Sequence, residues 1–345
     1  MKYTYQEIEK LSENLTYNKI CFLVERICGL CSTSHPLAFC MAIENLCNIS
    51  ITEKAKYIRT ILAELERVNS HLLWLGLISN CIGYDSFWSQ SWQCREPILE
   101  TMETISGNRQ NYSMIKPGGV NKDIEPSAIP HIIKTLDILP KKIEKLYKSL
   151  SRNPIIKLRT KNIGILTQEN CLNLGIVGPT ARASGINIDI RKNEPYAAYE
   201  TCNWQVIVKK NQDILDKILV RLLECLESIN ICKQCLKLLE NEKSALSIQI
   251  KQIPEGEGIG KVEAPCGEVS HYICSNGSNK PVAHKIKVPS LSNIPAYSKT
   301  VIGHSTEDAA LILTTIDPCY SCTERMAALE PSNIFLTKTT TGINK

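Results

Sequence analysis

Three pairs of cysteines stand at C-x-x-C spacing: Cys28/Cys31, Cys232/Cys235 and Cys319/Cys322. Two thiolates at that spacing close on one metal ion when a turn lets both sulfurs converge, and four make a soft site that suits zinc, iron or nickel. The pairs are not equivalent. Cys232 and Cys235 fall inside an amphipathic helical repeat with no turn residue between them, so their spacing reads as helix geometry. Cys28 and Cys31 enclose Gly29, and Cys319 and Cys322 follow Asp317-Pro318, so both of these pairs come with turn chemistry. Each also has ionisable neighbours: Glu25, Arg26 and His35 around the first, Asp317 beside the second. A structural four-cysteine zinc site is the plain reading of the spacing. Zinc-ribbon pairs, however, usually lie within a few tens of residues, and these two sit at opposite ends of the chain. A site that joins both ends belongs to the core.

Composition removes other classes. The net charge is only +5 on 40 basic and 35 acidic residues, with no basic block, so nucleic acid is not an expected partner. The least charged stretch, near Val68 to Tyr84, is interrupted by Asn69, Ser70, His71 and Asn80 and falls short of a spanning helix. The first residues, MKYTYQEIEK, lack the apolar core of a signal peptide, which predicts a cytosolic chain. In that compartment most of the 16 cysteines are free thiols, and Cys40, Cys47, Cys81 and Cys225 are expected to pack as small hydrophobes.

The elements that must hold the pairs are mostly helical. Ser50 and Glu53 suggest a capping box, after which Ile58, Ile61, Leu62, Leu65, Val68 and Leu72 recur at helical spacing to about Ser79. Residues 127–150 predict a helix bent or broken at Pro130 and Pro140, and Asp213 to about Leu239 predicts a third. Strands concentrate late. His271 to Val288 reads as a β-hairpin turning at Asn276-Gly277, LILTTI (311–316) as a buried strand and PEGEGIG (254–260) as a surface loop. With no repeat and no long linker, one interwoven domain over residues 1–345 is expected.

ERICGLCSTSH (25–35) and DPCYSCTER (317–325) resemble the two signature motifs of the nickel-iron hydrogenase large subunit. Between them, ELERVNSHLLWLG (64–76), GNRQNYSMIKPGGV (107–120) and GIVGPTARASGINIDIRKNEPYAAYE (175–200) resemble the energy-converting, membrane-associated branch, which is related to the quinone-site subunit of respiratory complex I. The resemblance implies an α+β, mainly helical large-subunit-like fold with a small β-rich part. It implies a Ni-Fe centre, its iron carrying carbonyl and cyanide, in which Cys28, Cys31, Cys319 and Cys322 ligate nickel while Cys31 and Cys322 also bridge to iron. Cys319 becomes the first base and Glu25 the proton relay. His35 becomes a donor to the bridging thiolate, and Arg26 and Asp317 order the two knuckles. The implied activity is reversible heterolytic cleavage of dihydrogen. Its partners are an iron-sulfur small subunit, the membrane-bound subunits of an energy-converting hydrogenase and maturation proteins, with the chain cytoplasmic and attached to the membrane through them.

Three departures qualify that picture. Cys266, in EAPCGEVSH, stands where the family reads arginine, and a thiol cannot replace a fixed guanidinium. The first signature begins at residue 25, without the N-terminal β-rich segment of relatives, which points to an incomplete record or to a partner that fills the gap. The chain also retains residues 326–345, a tail that many relatives lose by cleavage after the position of Arg325. Two other readings stay open: a quinone-site subunit of the complex I kind, and a scaffold with a structural four-cysteine site.

Overall fold

The computed structural model describes residues 4–323, so the predicted cleavage at Arg325 and the tail 326–345 lie outside the described residues. Helices α1 (Thr4–Glu13), α2 (Tyr17–Glu25) and α3 (Ser34–Leu46) lead into α4 (Glu53–Ile82), and the chain returns through α5 (Asp85–Ser106). A two-residue ladder of β1 (Ile115–Lys116) and β2 (Gly119–Val120) precedes α6 (Ile129–Arg152). Short helices α7 (Pro154–Thr160), α8 (Gln168–Asn173), α9 (Gly178–Ala183) and α10 (Ile190–Asn193) then lead to α11 (Ile214–Leu239). Strands β3 (Glu255–Ala264), β4 (Gly267–Asn276) and β5 (Ala283–Lys287) form an antiparallel meander. Helices α12 (Pro289–Asn293), α13 (Ala296–Thr300), α14 (Thr306–Ile316) and α15 (Tyr320–Thr323) complete the described chain. The class is the expected one, α+β and mainly helical.

Helix α4 is the axis of the core, buried on almost every face and packed against α5, α11 and α14. Its cap is Thr52, whose hydroxyl accepts from Ala55 N, and not Ser50; Glu53 is itself the first helical residue, two positions short of the N3 place that a capping box requires. Gly83, at φ +82°, ends it. Asp213 caps α11 through Asp216 N, where the sequence puts the start. Helix α6 neither breaks nor stops at its prolines: Pro130 lies in the first turn, where its missing N–H costs nothing. Pro140 forfeits one ladder bond in a helix held down by Ile132, Leu136, Leu139, Ile143 and Leu146.

The predicted hairpin forms, with His271 opposite Ile286 and Ile273 opposite His284. PEGEGIG is not a loop but most of β3. Its glycines serve contact, because α3 lies backbone-on-backbone across them: a Cβ on Gly258 would stand 2.1 Å from Ala42 O, and one on Gly260 2.0 Å from Ala38 O. LILTTI is not a strand but the end of α14. Ser305 caps that helix through Asp308 N, and Leu311, Ile312, Thr315 and Ile316 form one buried helical face. Cys40 and Cys225 pack in the core as expected, whereas Cys47 is half-buried and Cys81 is exposed.

Candidate metal centre

Each knuckle follows the end of a helix. The first spans residues 26–33 between α2 and α3, and the second leaves α14 with Cys319 in the break and Cys322 in the short helix α15. They meet. Cys28 Sγ lies 3.4 Å from Cys31 Sγ and 3.3 Å from Cys319 Sγ, and the sulfurs of Cys28, Cys319 and Cys322 all lie within 4.8 Å of one another. Cys31 stands at the edge of this group, with Cys266 as a second thiol neighbour. Cys232 and Cys235 lie elsewhere in the core; Cys235 meets Cys202 at 3.5 Å.

Local structure explains why the knuckles hold. Glu66, from α4, accepts from Thr33 N (2.5 Å), Ser34 N (3.2 Å) and Ser34 Oγ (2.7 Å), which satisfies the first amides of α3 and fixes the exit of the first knuckle. Gly29 is not among the residues with positive φ, so the turn does not need its conformational freedom. In the second knuckle Asp317 takes the left-handed conformation at φ 59°, which aspartate tolerates, and Ser290 Oγ accepts from Cys319 N at 3.0 Å. The Asp317 carboxylate accepts from Cys266 Sγ at 3.1 Å and lies 3.5 Å from Arg221 Nη2, itself stacked over Trp74. A guanidinium therefore does reach this corner, from α11.

The turn that carries Cys266 is pinned by buried ions. Arg67 donates to Glu263 O (2.6 Å) and Ala264 O (3.1 Å), and Arg182 bridges Glu263 and Glu224, each at 2.7 Å. Asn293 Nδ2 donates to Cys266 O, and Gly178 packs so closely that a Cβ would stand 2.4 Å from the same oxygen. The segments 64–76 and 175–200 thus build the support of Cys266. Each of these charges has an oppositely charged or carbonyl partner, although Arg182 Nη2 has none.

Crowded thiols compete for protons. Hydrogen bonds from Cys31, Cys319 and Cys322 hold Cys28 far below the ordinary thiol range. Its hydrogen bond to Cys28 pushes Cys319 up to about 12, and Cys31 and Cys322 are raised as well. One negative charge is shared among sulfurs that cannot all ionise together; a soft cation would remove that conflict. The donor set therefore fits a thiolate-bound metal.

The remaining predicted residues separate. Glu25 is buried at the end of α2, where its carboxylate accepts from Ser113 N at 2.8 Å and Ser113 Oγ at 3.4 Å. Asn111 and Ser113, at φ 54° and 52°, hold that amide in place. Burial raises the Glu25 pKa, with the Ser113 bonds opposing. Arg26 caps α2 through its backbone but its side chain is exposed, with no ion pair or side-chain hydrogen bond among the described residues, so it does not order the knuckle as expected. His35 is buried with Nε2 3.9 Å from Cys322 Sγ. Sequence reasoning did not single out Glu66, Ser113, Arg221, Ser290, His271 or His284. Glu66, Ser113 and His271 lay inside quoted segments, but nothing in spacing marks them; their roles come from contacts across the fold.

These features define a buried thiolate centre in a helical redox-type fold, and the comparisons agree. Residues 7–79 match the family described as nickel-dependent hydrogenase, and residues 82–249 and 242–325 match the 49 Kd subunit of respiratory-chain NADH dehydrogenase. The carbon monoxide-induced hydrogenase of Rhodospirillum rubrum is 34% identical over 94% of this chain and 90% of its own. An NADH-quinone oxidoreductase subunit of Dehalococcoides mccartyi is 35% identical over 91% and 86%. The structure of the membrane-bound sulfane sulfur reductase, an archaeal respiratory membrane complex, contains a chain with a TM-score of 0.87 and 27% identity, over 92% of this chain and 87% of that one. This chain belongs to the family of hydrogenase large-subunit-like and complex I 49 Kd subunits, in its energy-converting, complex I-related branch. Its relatives are subunits of membrane-bound respiratory complexes, and no helix among its own described residues is long and apolar enough to cross a membrane.

Proposed function

We propose that the chain is the catalytic subunit of a nickel-iron hydrogenase of the energy-converting kind, cleaving and forming dihydrogen reversibly. The observation that carries this reading is the convergence of Cys28, Cys319 and Cys322 within 4.8 Å, with Cys31 against Cys28, from opposite ends of the chain. That convergence also supports a single interwoven unit over residues 1–345. Cys28, Cys31, Cys319 and Cys322 would hold a nickel-iron pair whose iron carries carbonyl and cyanide. Such a pair supplies, when bound, the polarisation that splits dihydrogen into hydride and proton. Cys319, the least enclosed of the four thiols, holds the proton first at Sγ. The Glu25 carboxylate takes it next, and burial, which raises its pKa, favours its holding that proton. Asp317 and Arg221 fix the second knuckle through their ion pair.

Electrons leave through an iron-sulfur small subunit, and membrane subunits of the complex attach the chain peripherally to the cytoplasmic face; maturation proteins install the metals. The test is hydrogen-dependent dye reduction and hydrogen-deuterium exchange by the purified complex. Activity lost in Cys28→Ser and Cys319→Ser is the expected result; a metal-replete complex with neither activity overturns the reading. One observation favours a second reading, a non-catalytic or quinone-site subunit: Cys266 contacts Cys31 and Asp317 where the family places an arginine. Quinone-dependent electron transfer without exchange would support it.

A further inference from the structure

A chain of three imidazoles runs from Cys322 into the far side of the sheet. Cys322 Sγ meets His35 Nε2 at 3.9 Å, His35 Nδ1 meets His271 Nε2 at 3.1 Å, and His271 Nδ1 meets His284 Nε2 at 2.9 Å. His284 Nδ1 then meets Ser12 Oγ at 2.8 Å, and Ser12 Oγ lies 2.5 Å from Glu9 O. Ser12 and all three histidines have zero solvent exposure, and Phe39 packs beside His271 and His284. The Glu9 carboxylate is engaged by Ile286 N and Lys285.

The far end fixes the direction of every bond. A carbonyl oxygen only accepts, so at 2.5 Å the Ser12 hydroxyl must point its single hydrogen at Glu9 O. Ser12 Oγ can then only accept from His284, which places the His284 proton on Nδ1. Each ring has zero exposure and meets only another imidazole, a thiol or a hydroxyl, with no carboxylate among its described hydrogen-bond partners, so the three rings stay neutral. A neutral ring has one N–H and one lone pair, so the assignment passes along the chain: Nδ1–H on His284, on His271 and on His35. We infer that Ser12, His284 and His271 are positioning residues that lock His35 in the Nδ1–H tautomer, so that His35 presents a lone pair, not an N–H, to Cys322.

The chain is not a proton exit, because it ends on a carbonyl that cannot pass a proton on. Its consequence for metal rests on the function proposed above. A ligating Cys322 is a thiolate, and a thiolate facing an imidazole lone pair sets two acceptors together. Loading therefore favours the opposite register, with Nε2–H on all three rings and Ser12 O–H turned to His284, which requires Ser12 Oγ to draw back from its 2.5 Å contact with Glu9 O. The hydrogens balance: the thiol, three rings and hydroxyl hold five, the reversed chain holds four, and the fifth is the thiol proton released to solvent on metal binding.

The test is two-bond 15N–1H correlation on the full chain labelled with 15N-histidine, which reads the protonated nitrogen of each ring. Metal-free protein is expected to show Nδ1–H on His35, His271 and His284; Nε2–H on His35 overturns the inference. Ser12→Ala should mix the tautomers and Ser12→Thr should restore them, with urea midpoints confirming that both variants fold. A pure Nδ1–H spectrum in folded Ser12→Ala also overturns it. Zinc(II), a thiophilic ion without redox chemistry, should move the three signals to Nε2–H; bound zinc with unchanged tautomers refutes the coupling. Zinc that does not bind counts against the metal site alone, and the metal-free spectrum then decides the tautomer lock by itself.

Discussion

Gly260→Ala tests how the sheet sets the position of the first knuckle. The added Cβ would lie 2.0 Å from Ala38 O and 2.6 Å from Ala42 N, against a practical minimum of 3.0 Å, so α3 must move by about 1 Å at that point. Both contacts are with helix backbone, which cannot rotate away, and α3 carries His35 in its first turn. The cost belongs at the upper end of the overpacking range, about 3 kcal/mol. With a urea m-value of about 3 kcal/mol/M, the midpoint should fall by roughly 1 M. Gly29→Ala is the contrasting control: its nearest neighbour is 3.7 Å away, so its midpoint should stay within about 0.2 M of the parent. A Gly260→Ala protein within about 0.2 M of the parent would refute the backbone-on-backbone packing.

Glu25→Gln should keep its metal content but lose hydrogen-deuterium exchange by about 10²- to 10⁴-fold, the usual loss for a proton-transfer group; full exchange would remove Glu25 from the relay. Cys266→Arg should raise dihydrogen turnover by about 10²- to 10³-fold by adding a fixed cation beside Asp317, measured as dye reduction per metal centre. Burial raises the Glu66 pKa from 4.5 to about 7, so its folded form binds more protons than the unfolded chain between those values. Its stabilising contribution is complete below pH 4.5 and is lost as pH rises through 7, on the order of 3 kcal/mol in all. The stability difference between parent and Glu66→Gln, followed by urea titration from pH 4 to 8, should fall by that amount; a flat difference would contradict it.

The cysteine cluster was legible because ligand chemistry restricts residue types: C-x-x-C with a turn on one side and charges beside it has few uses. Much of what supports it was not legible. LILTTI is equally apolar as a strand or as a helix face, and the deciding signal was upstream, in the Ser305 cap. The glycines of PEGEGIG look like a loop until a helix is known to lie on them. Gly29 invited a left-handed turn, which Asp317 adopts instead. His271 and His284 read as ordinary alternating strand residues, and Arg221 as one more charge on an amphipathic helix. What they do depends on partners 13 to 272 residues away.

The central claim is a nickel-iron centre held by Cys28, Cys31, Cys319 and Cys322. Its most direct test is nickel and iron content per chain, with infrared detection of iron-bound carbonyl and cyanide, on the complex purified from cells that contain its maturation proteins. Nickel and iron near one each, with those bands present and lost in Cys322→Ser, is the predicted result. Zinc alone, or no metal, would contradict it and leave a scaffold or a quinone-site subunit.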